Sequence, residues 1–193
     1  LLNNPYIIGT PVKGEDFIGR DDILRYITDE LLAGTKQCPP IVLYGHRRMG
    51  KTSILKNLSA RLKSTSIRVV DFNMQIVGHI SSTNELLYAL ARQIERAIQR
   101  PDILPKIAIN RTIFIEQNPY HAFNNFFQRL ESALECAHCN YRFVIAVDEF
   151  EKIEEKIISQ QLSEDLLEFL RGLTQTYSWF SIIFAGLHTI EEM

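Results

Sequence analysis

Nine consecutive residues, Gly45-His46-Arg47-Arg48-Met49-Gly50-Lys51-Thr52-Ser53, fit the phosphate-binding pattern G-x-x-x-x-G-K-[ST] without a mismatch. That pattern demands one local architecture: a strand ending in a tight loop that resumes as a helix. Ile41-Val42-Leu43-Tyr44 supplies an apolar strand before it, and Ile54, Leu55, Leu58 and Leu62 recur on one side of a helix after it. Glycines at 45 and 50 let the backbone curl round an anion where a side chain would crowd it. Lys51 is placed to reach the β- and γ-phosphates of a nucleotide, and the Thr52 hydroxyl to ligate Mg²⁺. The helix start adds its positive end to the same pocket. Residues 45 to 53 are therefore the candidate ATP-binding residues.

A second polar signal matches the first. Arg142-Phe143-Val144-Ile145-Ala146-Val147 is an apolar strand that ends in Asp148-Glu149, the Walker B pattern. Asp148 would hold Mg²⁺ from the side opposite Thr52. Glu149, directly after it, is the candidate catalytic residue that orients and polarises a water for in-line attack, with Lys51 stabilising the transferred phosphoryl group.

The remaining chain alternates strands with helices. Residues 1 to 19, with Pro5, Gly9, Pro11, Gly14 and Gly19, read as an irregular N-terminal arm, and a helix over 20–33 stops at Gly34. A less buried strand is expected over 67–74, and a helix follows the capping box Ser82-Thr83-Asn84-Glu85. Residues 101 to 118 carry two prolines and no sustained period; they read as an insertion with a short strand at Thr112 to Ile115. Asn118-Pro119 opens a helix whose apolar side holds Ala122, Phe123, Phe126, Phe127, Leu130 and Leu134. A helix opened by Ser163 and a strand over 179–185 complete the pattern. The mixed charges of Glu151 to Lys156 read as a solvated helix or loop. The expectation is an α/β fold, a three-layer sandwich with a mostly parallel sheet whose ligands bind beyond the carboxyl ends of the strands.

Composition sets the outer bounds. With 193 residues, 46% hydrophobic and 23% charged, the chain can bury a sizeable core in one large domain. A formal net charge of -2 argues against broad electrostatic capture of nucleic acid. No run approaches the roughly 20 apolar residues of a membrane helix, and an odd cysteine count of 3 suits a reducing compartment, the cytoplasm. Cys136-Ala137-His138-Cys139 has the spacing of half a zinc site, but no second ligand pair accompanies it. The chain begins at Leu1 and stops at Met193 soon after an apparent strand, so a longer natural protein is expected.

Pro11 with Phe17-Ile18-Gly19-Arg20, the loop from Gly45 to Ser53, Asp148-Glu149-Phe150-Glu151 and Phe184-Ala185-Gly186-Leu187-His188 together resemble the STAND class of signalling ATPases. Archaeal-type ATPases and other relatives of the AAA+ group share much of this pattern. The resemblance covers nearly the whole chain, and it implies a P-loop core domain over 1–193 with sheet order 5-1-4-3-2. It implies that the fifth strand, a helical lid and effector regions lie outside this chain. It implies further that Phe17, Ile18, Gly19 and Arg20 line the adenine side of the pocket, and that His188, with Thr189 behind it, is the sensor of the γ-phosphate.

The function so implied is an ATP-binding, Mg²⁺-dependent ATPase module that switches the conformation of a larger signalling protein and turns over slowly in isolation. Its partners would be ATP and ADP, other domains of the full-length chain, and further copies in nucleotide-dependent self-assembly, with no membrane and no nucleic acid. Three alternatives stand beside it: an AAA+-type ATPase associated with nucleic acid, a small-molecule kinase, and a nucleotide-binding scaffold without turnover. A kinase would need an arginine-rich lid, and the insertion offers only Lys106 and Arg111.

Overall fold

The computed structural model describes residues 10–14, 17–33, 39–75 and 79–187. Pro5 and Gly9 of the arm, Gly34, Cys38, His188 and Thr189 lie outside the described residues, and with them the helix stop at 34 and the sensor at 188. Among the described residues no helix is long and apolar enough to cross a membrane.

Four parallel strands form one sheet. They are β1 (Ile41–Tyr44), β2 (Ile67–Asn73), β3 (Arg142–Asp148) and β4 (Phe180–Gly186), in the order β1-β4-β3-β2. This is the order expected of strands one to four in 5-1-4-3-2. The two central strands are buried on both faces, β4 along all its residues and β3 after Arg142, because each sends alternate side chains into a separate core. Phe180, Ile182 and Phe184 of β4 join the larger core, whereas Ile183 and Ala185 face the smaller one. Edge strand β2 mixes buried and partly exposed positions with an exposed Asp71, so it is less buried than β3 and β4, but the expectation that it is the least buried strand is corrected: β1, at the other edge of the described sheet, has no fully buried residue.

Helices α1 (Asp21–Leu32) and α2 (Lys51–Leu62) cover the face of the smaller core. The larger core lies under α3 (Thr83–Ala97), α6 (Pro119–Cys136), α7 (Glu151–Ile158) and α8 (Leu166–Thr176). All six apolar residues expected on the inner side of α6 are buried, and Phe127 lies within 5.2 Å, ring centre to ring centre, of Phe123, Tyr177, Trp179 and Phe180. The N-terminus of α3 is capped as expected, Ser82 Oγ accepting from the Glu85 N–H at 3.3 Å. The Glu85 carboxylate reaches back one residue further than in the standard box, accepting from the Ser81 N–H at 2.9 Å.

Two readings of the sequence are corrected. The short strand expected at Thr112 to Ile115 is a helix, α5 (Arg111–Glu116), preceded by the single turn α4 (Leu104–Ile107). Asn110 caps α5 by accepting from the Thr112 N–H at 2.9 Å, and Asn84 of α3 donates to the Phe114 carbonyl at 2.5 Å while the Phe114 ring is buried. The helix placed from Ser163 begins at Leu166 instead. The Ser163 N–H is taken by Thr83 Oγ1 at 2.9 Å, which leaves residues 163–165 as a turn.

Candidate nucleotide-binding site

At the end of β1 the Gly45 N–H donates to the Gly186 carbonyl at 3.3 Å, so the loop starts where the sheet's hydrogen bonds with β4 end. Gly50 takes φ +89° as the residue before α2, a conformation that costs a side-chain-bearing residue about 1 kcal/mol or more. From there α2 begins, its first i to i−4 bond running from the Ile54 N–H to the Gly50 carbonyl at 2.9 Å. The N–H groups of residues 51–53 have no such acceptor behind them, and the first turn of α2 contains no acidic residue to compete for them. An anion is the natural complement of this helix end. Lys51 Nζ donates to the Gly45 carbonyl at 2.6 Å and the His46 carbonyl at 3.1 Å, which holds its ammonium inside the loop. His46, Arg47, Arg48 and Met49 form the exposed crown of the loop, and Arg48 takes a positive φ of 64° to close it.

The second half of the site arrives on β3. Thr52 Oγ1 donates to Asp148 Oδ2 at 2.7 Å, which brings together two residues 96 positions apart in the chain. Asp148 is 6% exposed and is held from two further sides. The Asn73 side-chain amide at the end of β2 donates to Oδ2 at 3.3 Å, and the Glu149 N–H donates to Oδ1 at 3.1 Å. Asn73 is oriented in turn by the Gln75 N–H, 2.8 Å from its Oδ1.

Glu149 follows in a left-handed backbone, φ +58°, at which the extended strand ends. Burial pushes the Glu149 carboxyl above its ordinary value, and the neighbouring Glu151 and Asp148 charges add to the rise. A hydrogen bond from the Gln75 side chain and the charge of Arg47 act the other way. The turn then packs on β4. The Phe150 N–H donates to the Ala185 carbonyl at 3.0 Å, and a Cβ at Gly186 would lie 3.1 Å from Glu151 Oε2 and 3.3 Å from Phe150 Cβ. Gly186 thus keeps the strand end flat enough for the acidic turn to rest on it. Glu151 Oε2 is buried there without a hydrogen-bond partner.

Thr52 and Asp148 present oxygen donors of the kind Mg²⁺ takes. Among the described residues no group of three or more His, Cys, Asp and Glu side chains is arranged to hold a metal. So sparse a protein contribution fits Mg²⁺, which keeps several waters and completes its shell from substrate phosphates.

A strand-loop-helix with an inward lysine, joined to an acidic strand end two strands away in the sheet, is a nucleotide site in outline, and comparison with known proteins assigns its family. The family model described as "AAA ATPase domain" matches residues 16–183. This chain belongs to that family. Among solved structures the AAA ATPase domain described here is similar to Cdc6p from Pyrobaculum aerophilum, at 18% sequence identity and a TM-score of 0.52. The alignment covers 95% of this chain and 42% of that one, and at this identity the likeness concerns the fold alone. No curated protein sequence matches the chain.

The arm of this AAA ATPase domain meets α2 beside the phosphate loop. The Val12 N–H donates to Ser53 Oγ at 3.0 Å, and the Gly14 N–H to Asn57 Oδ1 at 3.0 Å. The Ser53 side chain therefore serves the arm, which leaves its backbone N–H to face a phosphate. Phe17 packs partly buried against the core under α1 and α2, whereas Ile18 beside it is 84% exposed. Gly19 takes φ +85° just ahead of Arg20 and α1. Asn57, Asn73 and Gln75 carry no recognisable motif and were not legible as site residues. Asn57 inside the apolar period of α2 and Asn73 breaking the run of β2 were the sole hints.

Proposed function

We propose that this AAA ATPase domain binds ATP with Mg²⁺ between residues 45–53 and Asp148, hydrolyses it with Glu149, and by its nucleotide state switches the conformation of a larger protein. The observation that carries the reading is the 2.7 Å bond from Thr52 to Asp148, with the Glu149 carboxyl on the very next residue. Lys51 and the N–H groups of the loop bind the β- and γ-phosphates. Thr52 and Asp148 would hold Mg²⁺, which when bound neutralises charge developing on the phosphate oxygens. Glu149 orients the attacking water and accepts its proton at the carboxylate. Its raised pKa makes it a stronger base than an ordinary glutamate. Asn73 keeps Asp148 in place, and Gln75 keeps the Glu149 carboxyl over the site.

Phosphate release from ATP with no added acceptor, measured beside calorimetric binding, tests this reading. Wild-type protein should release phosphate, Glu149→Gln should bind ATP without releasing it, and Lys51→Ala should lose binding. Release that persists in Glu149→Gln sinks the assignment of the base. Binding that needs Lys51 with no release at any protein concentration makes the domain a scaffold. The family match supports an AAA+-type ATPase associated with nucleic acid equally well. A salt-sensitive affinity for duplex DNA, titrated with and without ATP, would favour that reading over the signalling switch.

A further inference from the structure

Asn57 lies on α2 beyond the phosphate-binding pattern, yet it is only 8% exposed and its amide is fully used. Its Nδ2 donates to the Val12 carbonyl at 2.9 Å and the Ser53 carbonyl at 2.7 Å, while its Oδ1 accepts from the Gly14 N–H at 3.0 Å. The Ser53 hydroxyl adds a fourth bond by accepting from the Val12 N–H. One amide thus pairs with the carbonyl of residue 12 and the N–H of residue 14, the two groups an adjacent strand would engage. A buried asparagine on a helix is unfavourable unless such partners exist. Here they are supplied by a segment more than 40 residues earlier in the chain.

We infer that Ser53 and Asn57 form a latch that sets the N-terminal arm as the wall for the nucleotide's base, which makes Asn57 a positioning residue for discrimination of ATP from simpler polyphosphates. The inference rests on the reading of Phe17 to Arg20 as the adenine side. Two features of the arm support it. Phe17 is anchored in the core under α1 and α2, and Ile18 offers a bare aliphatic surface, 84% exposed, of the kind that covers a purine face. The latch also shares a helical turn with the phosphate chemistry. Thr52 turns to Asp148 and Ser53, the next residue, turns to Val12. One helix turn thus fixes both the Asp148 contact and the attachment point of the arm.

The test compares the affinity of the whole chain for Mg²⁺-ATP and for Mg²⁺-tripolyphosphate, which has the phosphates and no base. Asn57→Leu keeps the volume and removes all three amide bonds. It should weaken ATP binding about tenfold, the equivalent of one or two lost hydrogen bonds, and leave tripolyphosphate within about twofold. Ile18→Ser, at an exposed site, should weaken ATP alone. Equal weakening of both ligands by Asn57→Leu means that the latch serves the phosphate loop, and overturns the inference. If Ile18→Ser weakens ATP and Asn57→Leu changes neither ligand, the arm lines the base but the latch does not position it, and the inference again falls. If the wild type does not prefer ATP, or neither variant alters its preference, the adenine reading of the arm falls too. Should Asn57→Leu fail to fold, Asn57→Asp, which keeps the acceptor for Gly14 and loses the donor to Val12, should show a smaller loss for ATP alone. A uniform loss there overturns the latch.

Discussion

Glu149 combines a strained backbone with a disfavoured charge. Its folded-state pKa lies above the ordinary 4.5, so folding favours the protonated form. The resulting penalty is fully present above the raised pKa and vanishes below the unfolded value. Glu149→Gln should therefore raise the melting temperature at neutral pH, and the gain should disappear in acid. The same substitution should cut ATP hydrolysis by about 10²-fold or more with binding retained. A stability gain with no loss of turnover would mean that the carboxyl is not the base. The acid limb of the rate profile in the wild type should lie above the usual carboxylate range. Asn73→Ala tests the neighbouring support. Loss of the amide that orients the carboxylate proposed to hold Mg²⁺ should weaken the Mg²⁺ dependence of ATP binding about tenfold, with little change in ATP affinity when Mg²⁺ is absent. Unchanged Mg²⁺ dependence would reduce Asn73 to a neighbour of Asp148 without influence on it.

Among the elements, α6 buries seven residues in the larger core, three of them phenylalanines. Phe127→Ala removes a fully buried ring packed against the rings of Phe123, Phe126, Tyr177, Trp179 and Phe180 at the junction of α6 and β4. It should cost about 3–5 kcal/mol in denaturant unfolding; a loss under about 1 kcal/mol would show that the cluster repacks. This helix was legible because 18 residues of helical spacing leave one solution, and Pro119 after Asn118 marks its start. The insertion was not. The six residues of α5 are too few for a period to register, and their helix depends on the Asn110 cap and on Asn84 reaching from α3. Nor does spacing announce the arm latch or the pairing of Asn73 with Asp148. Both join segments more than 40 residues apart through single amides, and a lone Asn in a sequence reads equally well as surface. The phosphate loop and the acidic strand end could be read directly because their chemistry admits few spellings, whereas the residues that hold them answer only to local geometry.

For the whole molecule, the order β1-β4-β3-β2 has a consequence for how the protein is made. The strand that joins the phosphate loop to the rest of the sheet is the last of the four to be synthesised, since β4 pairs with β1 on one side and β3 on the other. Until it emerges from the ribosome, β1 has no partner in this sheet and the β2–β3 pair is left with an apolar flank. That is a long interval for a nascent chain to display surface that invites wrong contacts or a chaperone. A chain ending at Ser178 should accordingly retain helical signal from the earlier elements and lose Lys51-dependent binding of ATP. Residues 179–187, restored as the natural continuation, should recover it, so that nucleotide capture waits on the emergence of β4; capture by the shorter chain would show that the loop matures before its sheet does.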